Sequence, residues 1–186
     1  LVALKAAGFD GLETSMADVS PAQAAQYRKI ADEEGMRIHS VLRGWMQFNS
    51  SKKADVEESI ESVETAVRAA KAYGAETVLV VPCRIGGMKT PKPWEFDIEF
   101  DKKSGHVKRV VKGDNSSYTD YIEAHNHSTD ASREALKRLI PVAEECGVVI
   151  AVENVWNNLW VKPDIFSNFV ASFDSKWVQA YFDVGN

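Results

Sequence analysis

Apolar residues follow two rhythms along this chain. In some stretches they recur every three or four positions, and in others they form short, nearly unbroken runs. Val56, Ile60, Val63, Val67 and Ala70 lie on one stripe of a helix, because residues three and four apart share a helical face. Ile165, Phe166, Phe169, Val170 and Phe173 make a second stripe, with Asp164 placed to cap it. Ser20-Pro21-Ala22-Gln23 opens another helix, combining an N-cap, a proline at the first helical position and a capping-box glutamine. The runs Met36–Leu42, Thr77–Val81, Val148–Val152 and Val178–Phe182 have the length and composition of strands covered on both faces. Gly8, Gly35, Gly74 and Gly147 each stand between a helical stretch and the strand that follows, as expected of a residue that ends helices in the left-handed conformation. The pattern predicts five strands, at about 10–14, 36–42, 76–82, 148–153 and 178–183, with helices between them.

Alternating helices and strands imply parallel strands joined by right-handed crossovers. Two architectures fit, a (β/α)₈ TIM barrel and an open doubly wound sheet. No GxGxxG or Walker sequence follows any strand, which weakens the nucleotide-binding sheet. The chain opens on what reads as a helix tail, Leu1 to Ala7, and stops at Asn186 just past a strand. We therefore expect an incomplete α/β barrel: a single partial domain over 1–186, lacking one strand before Leu1 and two after Asn186. Residues 84–117 break the rhythm. Trp94–Phe100 and His106–Val111 alternate around a turn at Asp101–Gly105, which predicts an inserted hairpin. At the C-terminal face of a barrel such an insertion would cover the active site.

The net charge of −5 argues against a nucleic-acid surface. No apolar stretch approaches the ~20 residues of a membrane span, and no signal peptide is expected. Cys83 and Cys146 form no metal-ligand or CxxC spacing, so a reducing, cytoplasmic setting is expected. Self-association stays open.

Two carboxylates change the picture. Glu153 and Asp183 each sit at the C-terminal tip of an apolar run, where a charge is costly unless paired, hydrogen-bonded or metal-bound. Ligands bind at that end of parallel strands. Alternation puts Glu153 with Ala151 and Val149, and Asp183 with Tyr181 and Gln179, on the barrel-interior face. Adjacent strands lie about 4.8 Å apart, close enough for the two tips to share a cation. The plainer alternative is a pair of carboxylates that cap the next helix or tie down a loop.

Gly8-Phe-Asp-Gly-Leu-Glu13, Val80-Val-Pro82, the helix end at 143–147, Val152-Glu-Asn154 and Phe182-Asp-Val-Gly-Asn186 together resemble the xylose isomerase-like TIM barrels. That superfamily contains sugar and sugar-phosphate isomerases and epimerases. The resemblance implies that Glu153 and Asp183 ligate a divalent metal (Mn, Co, Mg or Zn), and that Glu153 also acts as an acid/base. It further implies a His and a Glu ligand from two later strands, which this sequence does not contain. The expected activity is a metal-dependent isomerase or epimerase working on a small sugar or sugar phosphate through an enediolate. Alternatives are an inosose dehydratase-like lyase of the same superfamily, its apurinic endonuclease branch, and an inactive binding remnant. The endonuclease branch fits least, since Pro82-Cys83-Arg84 offers no His and the net charge is negative.

Other candidates are weaker. Glu13, His39, Arg84, Trp94 and Asn186 are expected to contact substrate, Arg84 through a phosphate or carboxylate. Trp45, Trp156 and Trp160 are further aromatic candidates for a sugar wall. His125-Asn-His127 resembles the HxH of metallohydrolases but falls in a polar run before a helix at 131–146, which predicts a solvated surface.

Overall fold

A computed structural model describes residues 1–186. Five strands form one parallel sheet in the order β1-β2-β3-β6-β7. They are β1 (Gly11–Thr14), β2 (Arg37–Trp45), β3 (Thr77–Val81), β6 (Val149–Glu153) and β7 (Val178–Tyr181). Each matches an expected strand to within a few residues. Helix α1 (Val2–Ala6) precedes them, and between them run α2 (Pro21–Glu33), α3 (Lys53–Tyr73), α4 (Thr119–Cys146) and α5 (Pro163–Ala171). No helix is long and apolar enough to cross a membrane.

The sequence signals act as read. Ser20 Oγ accepts from Gln23 N, and the Gln23 side chain accepts from Ser20 N, closing the capping box of α2. Gly74 and Gly147 end α3 and α4 at φ 74° and 68°. A side chain is strained at such angles, so both positions favour glycine. Asp164 differs from its reading. Helix α5 begins at Pro163 after Lys162, leaving Asp164 in the first turn, where a negative charge still suits the helix dipole.

Alternation sorts the strands into two faces. Ile38, Val41, Val78, Val80, Ile150, Val152 and Val178 join the residues of α2, α3, α4 and α5 in the main core. The other face carries Leu79, Val81, Ala151 and the candidate carboxylates. Strand β7 is an edge, so Phe182, next to its tip, stands 75% exposed. The sheet is strongly curved: Tyr181 Oη on the last strand lies 3.4 Å from Glu13 Oε1 on the first. These are opposite edges of a five-strand sheet, which a flat sheet would hold about 19 Å apart. The architecture is a TIM barrel left open, as expected.

Strands β4 (Phe96–Phe100) and β5 (Val107–Val111) pair antiparallel as a hairpin. Val107 and Val110 enter a small second core with Cys83, Ile85, Tyr121, Leu159 and Ile165. The hairpin turn reaches down the outside of the helices. Arg133 Nη2 donates to Ser104 O at 2.8 Å, and Asn168 Nδ2 donates to Lys102 O at 2.9 Å. The hairpin thus flanks the strand tips and does not close over them as a lid. The reason is the length of α4, which begins at Thr119 and offers its first turns as a platform.

The same helix corrects the reading of His125-Asn-His127. His127 is exposed, but His125 is fully buried, stacked edge-on against Tyr121. One helical residue lies between them, so the two imidazoles face different ways and form no HxH site.

Candidate active site

Glu153 ends β6, and its register partner on β7 is Tyr181. Asp183 follows two residues later. Asn154 fixes it from the neighbouring tip: its Oδ1 accepts from Asp183 N at 2.7 Å, and its Nδ2 donates to Asp183 O at 3.0 Å. This side chain extends the β6–β7 ladder past the last strand bond. Within the Asp183-Val-Gly-Asn186 turn, Gly185 N donates to Asp183 Oδ1 at 2.7 Å. The turn brings Asn186 back, so that its Nδ2 lies 3.2 Å from Glu153 Oε1 and 3.1 Å from Asp183 Oδ2.

One amide nitrogen therefore touches both carboxylates. Glu153 is half-buried, and its carboxyl pKa is raised, first by burial and then by the charge of Asp183, against the opposing bond from Asn186. Glu13 adds a further push in the same direction.

Glu13 belongs to this group through curvature. Its Oε1 accepts from Ser40 Oγ at 2.8 Å and lies near Tyr181 Oη. The register between β1 and β2 slips after Leu12, so Glu13 pairs with Ser40 and His39 is the residue passed over. His39 is exposed and makes no side-chain hydrogen bond to the carboxylates. Arg84 is exposed just past β3, its guanidinium 5.8 Å from the centre of the Trp45 ring. Trp94 sits at the base of the hairpin, 78% exposed, with Lys92 5.5 Å over its ring. The structure thus brings Glu153, Asp183, Asn186 and Glu13 together and leaves His39, Arg84 and Trp94 outside the cluster. Ser40, Tyr181 and Asn154 join the group without having been singled out from the sequence. Two of them carried a signal, Tyr181 in its place on the same strand face as Asp183 and Asn154 in the Val152-Glu-Asn154 segment.

The donors fit a divalent cation in part. A point reached by both carboxylates, now met by the Asn186 amide, suits an ion that prefers oxygen. No group of three or more His, Cys, Asp or Glu residues converges on such a point, so this pair supplies two ligands.

The family description "Xylose isomerase-like TIM barrel" matches residues 1–186. No curated protein matches the chain by sequence. Among solved structures, the fold is similar to 3-keto-D-glucoside 4-epimerase from E. coli, at 14% identity and TM-score 0.67, over 97% of this chain and 60% of that one. It is similar to D-allulose 3-epimerase from Methylomonas sp. in complex with D-allulose, at 20% identity and TM-score 0.65, over 98% and 55%. A xylose isomerase-like TIM barrel protein from Mycobacterium smegmatis in complex with magnesium matches at 16% identity and TM-score 0.57, over 98% and 54%. The chain spans little more than half the length of these structures, and at such identities the likeness is one of fold.

Proposed function

The chain belongs to the xylose isomerase-like TIM barrel family, and from that premise we propose that its protein is a metal-dependent sugar or sugar-phosphate isomerase or epimerase. The observation that carries the reading is the Glu153–Asp183 pair meeting at one point on the concave face, with Asn186 donating to both. The names of similar structures, a 4-epimerase and a 3-epimerase bound to D-allulose, support the same class of chemistry.

Glu153 is the proposed base. Burial and the neighbouring Asp183 raise its proton affinity, and a stronger base removes a proton from carbon more readily. The proton taken is the one on the carbon beside the sugar carbonyl. The electron pair left behind delocalises onto the carbonyl oxygen as an enediolate. Return of a proton to the opposite face of the same carbon gives the epimer, and return to the neighbouring carbon gives the isomer. A divalent cation held by Glu153 and Asp183 would polarise the carbonyl and its neighbouring hydroxyl. Asn154 and Gly185 hold Asp183 in place for that role, and Ser40 and Tyr181 orient Glu13 beside it.

The test is turnover by the full protein on pentoses, hexoses, their phosphates and inositol derivatives, in Mn²⁺ and Mg²⁺. We expect isomer or epimer to form, with solvent deuterium entering the product at the reacting carbon. Glu153→Gln should lower kcat by about 10²–10⁴ with the fold intact, and Asp183→Asn should lower it alongside. Wild-type rates in both variants would show that the pair is structural, and loss of water from an inositol derivative would move the protein to the lyases.

A further inference from the structure

The chain has eight arginines. Seven of them, at 28, 37, 43, 68, 109, 133 and 138, lie within ion-pair distance of a carboxylate. Arg84 alone does not; its guanidinium rests over Trp45. It also opens a segment of unusual charge: residues 84–94, Arg-Ile-Gly-Gly-Met-Lys-Thr-Pro-Lys-Pro-Trp, hold three cations and no acid in a chain of net charge −5. The two lysines follow the same pattern as Arg84, with Lys89 5.1 Å over Tyr118 and Lys92 5.5 Å over Trp94. An aromatic face holds a cation in position without neutralising it. The guanidinium edge keeps donors in a fork that matches a phosphate or carboxylate.

The root of this segment is fixed beside the candidate site. Ile85 N donates to Asn157 O at 2.9 Å, Asn158 Nδ2 donates to Ile85 O at 2.8 Å, and Asn49 Nδ2 donates to Arg84 O at 3.2 Å. The loop after β3 is thereby bonded to the loop after β6, the strand whose tip is Glu153. Val80 pairs with Val152 across these strands. Arg84 thus lies up to about 10 Å farther out along the strand direction than Glu153. A sugar with its reacting carbons at the carboxylates would extend its far end toward Arg84.

We infer that Arg84, braced on Trp45, anchors an anionic group, a phosphate or a carboxylate, at the far end of the substrate. The inference rests on the functional reading above and narrows it to charged sugars. A free ketose offers nothing that needs the uncompensated guanidinium.

Two measurements on the full protein separate the inference from the reading beneath it. The first is calorimetric binding of inorganic phosphate, which needs no turnover. Wild type should bind; Arg84→Ala should bind about tenfold more weakly or worse, Arg84→Lys should fall between, and Lys108→Ala, the same charge change on the hairpin, should match wild type. The second compares KM and kcat for a free ketose, its terminal phosphate ester and the matching sugar acid. The charged substrate that loses affinity selectively in Arg84→Ala, with kcat changing less than KM, identifies the anion. Equal phosphate binding in wild type and Arg84→Ala overturns the inference, as does an equal change in KM for the free and charged sugars. If no sugar is turned over, the functional reading fails, and the phosphate isotherm still decides the role of Arg84.

Discussion

Glu153 and Asp183 share a single hydrogen-bond donor, so their geometry depends on what holds Asp183. That is Asn154, with two bonds to the Asp183 backbone. Asn154→Ala should free the last turn and lower kcat about tenfold or more, with little change in far-ultraviolet circular dichroism; an unchanged rate would make the clamp irrelevant to chemistry. The carboxylates were legible because a charge at the tip of a buried strand has few uses. Ser40 and the contact of Tyr181 with Glu13 were not legible, because they depend on a one-residue slip in register and on curvature, and neither is encoded in local pattern. His125 was misread for a related reason: a polar residue on a helix gives no sign of its depth. It is fully buried, with Nε2 donating to Leu159 O at 2.7 Å and Nδ1 without a partner. Burial lowers its pKa from 6.5 to about 4, against the opposing carbonyl bond. The unfolded chain therefore takes up a proton below about pH 6.5 that the folded chain refuses until about pH 4. Its stabilising contribution is full above that window and is lost as pH falls through it. Unfolding free energies at pH 7.5 and 4.5 should show a smaller loss in His125→Gln than in wild type, and parallel losses would contradict the assignment.

At the scale of elements, the hairpin shows what alternation can and cannot tell. Phe96, Ile98 and Phe100 alternate with Asp97 and Glu99, which predicts a hairpin with one apolar side. The pattern does not say which surface receives that side. The receiving surface is the first half of α4, whose inward positions are Tyr121, His125, Ser128, Thr129 and Ser132. These are mostly polar yet buried, so the helical period is masked and the sequence reads as a loop. Arg133 joins the hairpin to both neighbouring helices. It donates to Ser104 O and Ser172 Oγ and pairs with Asp130, with its side chain only 15% exposed. Arg133→Ala should weaken this attachment by about 1–3 kcal/mol. Hydrogen exchange over 96–111 should quicken while β2, β3 and β6 keep their protection. If the whole sheet loosened together, the hairpin would be part of the main cooperative unit.

At the scale of the molecule, the order of strands followed from the helix–glycine–strand repeat and the handedness of crossovers, whereas the depth of curvature did not. Curvature matters because it brings Glu13 from one edge of the sheet to Glu153 and Asp183 at the other. No lysine or arginine forms an ion pair with any of the three. The concave face thus gathers like charge, which adds to burial in raising the pKa of Glu153. A divalent cation there would relieve the repulsion and tie the edge strand β7 to β6, so it should stabilise the fold as a ligand that binds only the native state. At tenfold excess over its dissociation constant the gain is about 1.4 kcal/mol, visible as a higher unfolding midpoint in Mn²⁺ or Mg²⁺ that a chelator reverses. Removing either charge weakens both the repulsion and the binding. Glu153→Gln and Asp183→Asn should therefore be no less stable than wild type without metal, yet gain little when it is added. The decisive comparison is the metal-induced shift in the three proteins. Equal shifts would place the cation elsewhere on the surface, and a large loss of stability without metal in the two variants would mean that the carboxylates hold the strand tips together by their own hydrogen bonds.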